Sequence, residues 1–148
     1  MTDAIIGGWQ IQGVYTYQTG APLTWLDATF TGDPDSIATN TRNIDQWFNT
    51  GAGFLRDSTL KPQNHLRTWP LRLSSLRNDG INNWDVSLFK KWQLAEQVSL
   101  RINAEFLNAL NHARFKAPVT DPYNSAFGQV SDTASFPRIV QFGIKLAF

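Results

Sequence analysis

Two histidines, one acidic turn and one pair of carboxylates are the residues of this chain whose types could support metal, calcium or acid–base chemistry. His65 and His112 each lack a cysteine or second histidine at ligand spacing, and a zinc site needs three or four such donors close together. The run Gly32, Asp33, Pro34, Asp35 offers oxygen ligands of the kind calcium takes. It lacks the full spacing and terminal Glu of an EF-hand loop, and Asp–Pro clusters ordinarily make turns. Asp85 and Glu105 are candidates for a shared proton or a bound cation if the fold makes them neighbours. Arg101 and Lys145 are expected to neutralise them, so the structural reading is preferred. With no cysteine there is no thiolate nucleophile and no disulfide framework. No catalytic, cofactor-binding or metal-binding residue follows, and the chain is expected to be non-enzymatic.

The elements that would position Asp85 and Glu105 are strands. Trp84, Val86, Leu88, Lys90 and Trp92 alternate with Asn83, Asp85, Ser87, Phe89 and Lys91, and Val98, Leu100, Ile102, Ala104 and Phe106 with Ser99, Arg101, Asn103, Glu105 and Leu107. The same period of two runs through Trp9, Ile11, Gly13, Tyr15 and Tyr17 against Gln10, Gln12, Val14, Thr16 and Gln18, and through Val140, Phe142, Ile144 and Leu146 against Gln141, Gly143 and Lys145. Helices would place apolar residues three and four apart, and these segments do not. The expectation is an all-β chain with four antiparallel strands over about 8–18, 83–92, 98–107 and 138–148.

One apolar and one polar face per strand is the pattern of a transmembrane β-barrel, whose strands need only about 9–11 residues to cross a bilayer. Trp9 and Tyr17, like Trp84 and Trp92, are same-face aromatics eight residues apart. On tilted strands that separation rises about 20 Å, close to the spacing of two interfacial aromatic girdles, to which Phe106 is added. Lys90 can snorkel beside Trp92. Gln10, Gln12, Asp85, Arg101, Asn103, Glu105 and Lys145 then face the lumen. A symmetric hairpin through Gln93–Gln97 sets Trp84 opposite Phe106, Val86 opposite Ala104, Leu88 opposite Ile102, Ser87 opposite Asn103 and Phe89 opposite Arg101. It also makes Asp85 and Glu105 neighbours. The long connections, Thr19–Asn82 and Asn108–Pro137, are rich in turn-forming residues. Such connections lie outside the cell in outer-membrane barrels. Trp47, Phe48, Phe54 and Trp69 within them either pack the loops together or contact an external ligand.

Thirteen basic against twelve acidic residues, with no basic block, argue against nucleic acid as a partner. Apolar runs fall far short of the roughly 18 residues that a membrane helix needs. The start, MTDAIIGGW, has neither the basic segment nor the apolar core of a signal peptide. The chain is therefore expected to be the C-terminal piece of a longer exported protein.

The ending RIVQFGIKLAF resembles the assembly signal of outer-membrane barrels, carried here by Gln141, Gly143, Leu146 and Phe148. More broadly, GGWQIQGVYTYQTGAPLT, SLRNDGINNWDVSLFKKWQL, LRINAEFLNALNHARF, FGQVSDTASFPR and QFGIKLAF follow one another as at the C-terminal end of Oar-like TonB-dependent outer-membrane receptors. This resemblance covers nearly the whole chain and is weakest from Asp27 to His65. It implies the last four strands of a barrel of about 22, in the cell outer membrane with a periplasmic C-terminus. The implied partners are membrane lipid, the remaining barrel and plug, the barrel-assembly machinery, the TonB system through an N-terminal part, and an unidentified external ligand.

Two other readings make different demands. A soluble β-sandwich that binds carbohydrate through its tryptophans requires Trp47 or Trp69 on an exposed platform. An oligomeric barrel with four strands per protomer requires long helices that the sequence does not offer.

Overall fold

The computed structural model describes residues 7–148; the start of the MTDAIIGGW segment lies outside the described residues. The described residues form six strands: β1 (Trp9–Gln18), β2 (Pro22–Thr24), β3 (Arg72–Arg77), β4 (Ile81–Gln93), β5 (Ser99–Leu107) and β6 (Ile139–Ala147). Two short 3-10 turns, Pro34–Ile37 and Ser58–Leu60, complete the regular structure, so the described chain is all-β with no α-helix. Among the described residues no helix is long and apolar enough to cross a membrane.

Two compact units divide the described chain. The first (7–18, 81–113 and 135–148) holds one antiparallel sheet in the order β1-β4-β5-β6. β1 and β6 do not pair with each other, so the sheet is open, with two edges. Trp9 stands opposite Lys90 and Tyr15 opposite Trp84 across β1 and β4, while Leu100 opposes Leu146 and Phe106 opposes Val140 across β5 and β6.

The hairpin between β4 and β5 departs from the symmetric expectation by two residues. Val86 faces Phe106, Leu88 faces Ala104 and Lys90 faces Ile102; on the other side Ser87 faces Glu105, Phe89 faces Asn103 and Lys91 faces Arg101. The cause is the turn. Pairing continues through Gln93 and Ser99, Leu94 donates its N–H to the Val98 carbonyl (2.8 Å), and Val98 donates to Ala95 (3.2 Å). Gln93 Nε2 closes over the bend by donating to the Ala95 and Glu96 carbonyls. Because side chains alternate with a period of two, a two-residue slip leaves every residue on its expected face.

Chain segments 19–80 and 114–134 form the second unit. The two long connections are not structureless: they share the main hydrophobic core. Trp25 is fully buried, stacked on Phe54 (5.2 Å, 12°) and met edge-on by Trp69 (5.7 Å) and Phe127 (6.3 Å), with Phe48 tilted against it (4.9 Å). Such rings each bury about 150–250 Å² and gain further from edge-to-face geometry. Backbone closure comes from β2 pairing with β3, from a bridge between Phe30 and Phe54, and from Arg67, which donates to the carbonyls of Trp69 (2.7 Å), Trp25 (2.7 Å) and Leu26 (3.0 Å).

Candidate functional site

Strand register fixes what each face of the β1-β4-β5-β6 sheet presents. The register puts all five residues expected in aromatic girdles, Trp9, Tyr17, Trp84, Trp92 and Phe106, on one face with Ile11, Leu88, Phe142, Ile144 and Leu146. That face is not covered: Ile11 is 76% exposed, Phe142 81% and Ile144 79%. Water-facing strands would not keep such a surface, and an extended apolar patch marks a partner or membrane contact. At its centre Leu88, Ile102, Ala104, Phe106, Phe142 and Ile144 line a shallow apolar depression of about 420 Å³.

Aromatic rings gather at both ends of this face. Toward the hairpin, Trp9 and Trp92 meet edge-on at 6.5 Å; at the far end, Tyr15 stacks on Trp84 at 4.8 Å with Tyr17 6.4 Å from Tyr15. The Trp84 ring also covers Gly13, lying 3.6 Å from where a Cβ would be, an ordinary contact distance. Phe106 sits one rung inward, opposite Val86 and Val140, rather than against Trp84. Tyr15 was not grouped with these end-of-strand aromatics in the sequence reading, although its parity with Tyr17 was visible. Lys90 does not snorkel outward. It is 2% exposed, with its ammonium 5.0 Å from the Trp92 ring and 5.4 Å from Trp9, because two indoles flank it and a desolvated cation gains from both ring faces.

The opposite face carries Gln10, Gln12, Asp85, Arg101, Asn103, Glu105, Gln141, Gly143 and Lys145. Of the four residues in the expected assembly signal, Gln141 and Gly143 therefore lie on the polar face and Leu146 on the apolar one. Phe148 follows the strand and is 96% exposed. Asp85 and Glu105 are not opposed. Glu105 faces Ser87 and Gln141 and accepts from Asn103 Nδ2 (3.2 Å), whereas Asp85 accepts from Asn83 Nδ2 (2.9 Å) and from the Asn108 backbone N–H (2.8 Å). Asp85 is thus the cap of a strand-to-loop junction. Nor do Arg101 and Lys145 neutralise this pair: Arg101 lies four residues from Glu105 along β5, about 13 Å, and its guanidinium rests 4.5 Å from the Phe89 ring.

That junction is organised by Asn108, which the sequence reading did not single out. Its φ is +51°, its Oδ1 accepts from the His112 N–H (2.9 Å), and its Nδ2 donates to the carbonyls of His112 (3.2 Å) and Phe136 (3.1 Å). An Asn closing a strand is a sequence signal for this conformation, because Asn tolerates the left-handed region better than most residues. His112 is held here through its backbone. His65, in the second unit, instead pairs through Nε2 with Asp27 Oδ2 at 3.3 Å. Among the described residues no group of three or more His, Cys, Asp or Glu side chains converges. Asp33 caps the Pro34–Ile37 turn, accepting from the Asp35 N–H (3.0 Å), so the acidic run makes a turn.

Trp47 (5% exposed), Phe48, Phe54 and Trp69 (6%) are core residues of the second unit. Buried indoles cannot serve as an open sugar platform, which removes the geometric basis of the carbohydrate reading.

Residues 1–141 match the family model described as an outer membrane beta barrel domain. No curated protein and no solved structure matches.

Proposed function

The chain belongs to the outer membrane β-barrel domain family, and from that premise we propose that it supplies wall strands to an Oar-like TonB-dependent receptor. β1, β4, β5 and β6 cross the outer membrane with the apolar face toward lipid and the polar face toward the lumen. They are the last four strands of a barrel of about 22, with the C-terminus periplasmic and the two long connections outside the cell. The role is non-enzymatic, namely to bind or import an external ligand through the complete protein. Its partners are the rest of the barrel and a plug, the barrel-assembly machinery, which recognises the strand ending in Phe148, and the TonB system. The sequence blocks resembling Oar-like receptors support this finer assignment.

The observation that carries the membrane reading is the contrast between the units: one buries its aromatic residues in a core, while the other leaves a full apolar face open with rings at both ends. At 9–13 residues, the four strands are long enough to cross a bilayer. Nitroxide labels test it. In bilayers, labels at Ile11, Phe142 and Ile144 should collide with oxygen dissolved in lipid, and labels at Gln12, Asn103 and Gln141 with a water-soluble nickel reagent. Equal aqueous access to both faces would overturn the reading.

A further inference from the structure

The polar face is divided by charge along its length. Lys91 on β4 stands directly opposite Arg101 on β5, and Arg101 directly opposite Lys145 on β6, so three cations form one row across three neighbouring strands. Adjacent strands lie about 4.8 Å apart, and like charges directly opposite destabilise a sheet. The carboxylates of this face lie at its other end. Glu105 is four residues from Arg101, about 13 Å, and Asp85 six residues from Lys91, about 20 Å. Both separations exceed the Debye length of about 8 Å at physiological salt. Both carboxylates are also engaged, Glu105 by Asn103 and Asp85 by Asn83 and Asn108. Glu96, in the nearby turn, makes no ion pair with the row, and among the described residues neither does any other acid. All three side chains are exposed, and Arg101 is steadied by the Phe89 ring beneath its guanidinium.

We propose that the Lys91–Arg101–Lys145 row is a binding rung for an oxyanion carried by a small solute, a phosphate or carboxylate group. The rung rests on the lumen reading above, in which cations at one depth of a wall act as the charged rings of anion-selective pores do. A tetrahedral or planar oxyanion bridges two neighbouring strands, accepting charge-assisted hydrogen bonds from the guanidinium and one ammonium, and so offsets the repulsion within the row. The remaining ammonium supplies long-range attraction.

Inorganic phosphate is the probe, titrated into the full chain in detergent micelles against sodium chloride of matched ionic strength. The Arg101 Nε–H and the lysine ε-methylene NMR signals are followed. The rung predicts saturable shifts at Lys91, Arg101 and Lys145 with one common midpoint, present with phosphate and absent with chloride. Of Lys91→Gln and Lys145→Gln, the one that removes the donating ammonium should weaken the midpoint on the order of tenfold, the loss of one charged hydrogen bond, and the other by less. Succinate in place of phosphate distinguishes a carboxylate from a phosphate preference, and saturable binding of either supports the rung. Linear shifts shared with chloride would mean screening only and overturn it, as would saturation that both Gln variants leave unchanged, or saturation by an acidic peptide alone. Micelle titration reads the row and bilayer labelling reads the faces, so failure of one is separable from failure of the other.

Discussion

The Asn103 carboxamide lies over Gly143 on the neighbouring strand, where a Cβ would come within 2.5 Å of Asn103 Oδ1. The two are directly paired, and Asn103 Nδ2 donates to Glu105 Oε1 from that position. Gly143 therefore has a packing reason to be glycine, apart from any role in the C-terminal signal: its missing side chain is the space that Asn103 occupies.

Gly143→Ala should displace the Asn103 amide and weaken its bond to Glu105, at a cost of about 1 kcal/mol, because the obstructing atoms end a side chain that can rotate. Asn103→Ala removes the obstruction together with the bond, so adding Gly143→Ala to it should cost little more. A double-mutant cycle by urea unfolding in micelles measures this, and a coupling energy near zero would show that the two positions are independent.

The hairpin register can be read by cross-linking. Val86 and Phe106 are opposed, whereas Trp84 and Phe106 are offset by two residues. Opposed positions fall within the Cα separation that a disulfide tolerates, and a diagonal of about 7–8 Å does not. Val86→Cys with Phe106→Cys should oxidise readily to an intrachain disulfide, seen by mass spectrometry. Trp84→Cys with Phe106→Cys should remain largely reduced; the reverse pattern would restore the symmetric register.

These cases mark what was legible in the sequence. Face assignment depends only on the period of two, which survives a slip of two residues, so Trp9, Tyr17, Trp84, Trp92 and Phe106 fall together whichever register holds. Register itself depends on the turn. Nothing in Gln93–Gln97 carries the Asn-Gly or Asp-Gly signal that would have fixed it. The core of the second unit was legible only as one of two alternatives for Trp47, Phe48, Phe54 and Trp69, for a different reason. Trp25, Phe48, Phe54, Trp69 and Phe127 are brought together across up to 102 residues by irregular backbone, and no local periodicity announces such contacts. Lys90 was misread because snorkelling was inferred from one indole, whereas the second, Trp9, arrives from a different strand.

Low pH should weaken one exposed contact of the second unit. Asp132 is held below the ordinary carboxylate value first by the hydrogen bond from Lys116, then by the Thr133 backbone N–H and by the charge of Lys116. A carboxylate with a lowered folded pKa contributes stability that is present above its unfolded value, about 3.9, and lost as pH falls through the folded value. The loss thus belongs below about pH 4. Lys116→Gln should raise the Asp132 midpoint toward the ordinary value in a carboxyl 13C titration, while Asp57, lowered by Thr59, should not move. An unchanged Asp132 midpoint would remove Lys116 as the cause.

Asn108 joins two demands at one residue, a left-handed backbone and four hydrogen-bonding roles: its N–H to Asp85, its Nδ2 to two carbonyls and its Oδ1 to His112. Asn108→Ala keeps the N–H but loses the amide, whose local hydrogen bonds offset a left-handed backbone that costs about 1–2 kcal/mol for most residues with a Cβ. Asn108→Gly loses the same side-chain bonds without that backbone cost. The Ala variant should therefore be less stable than the Gly variant by about 1 kcal/mol, in urea unfolding followed by tryptophan fluorescence. Asn108→Asp separates the amide's two functions, since a carboxylate can still accept from the His112 N–H but cannot donate to the carbonyls of His112 and Phe136. If Asp matched Asn in stability, the bonds to those carbonyls would contribute nothing, and the junction would rest on the backbone conformation and the Asp85 cap alone.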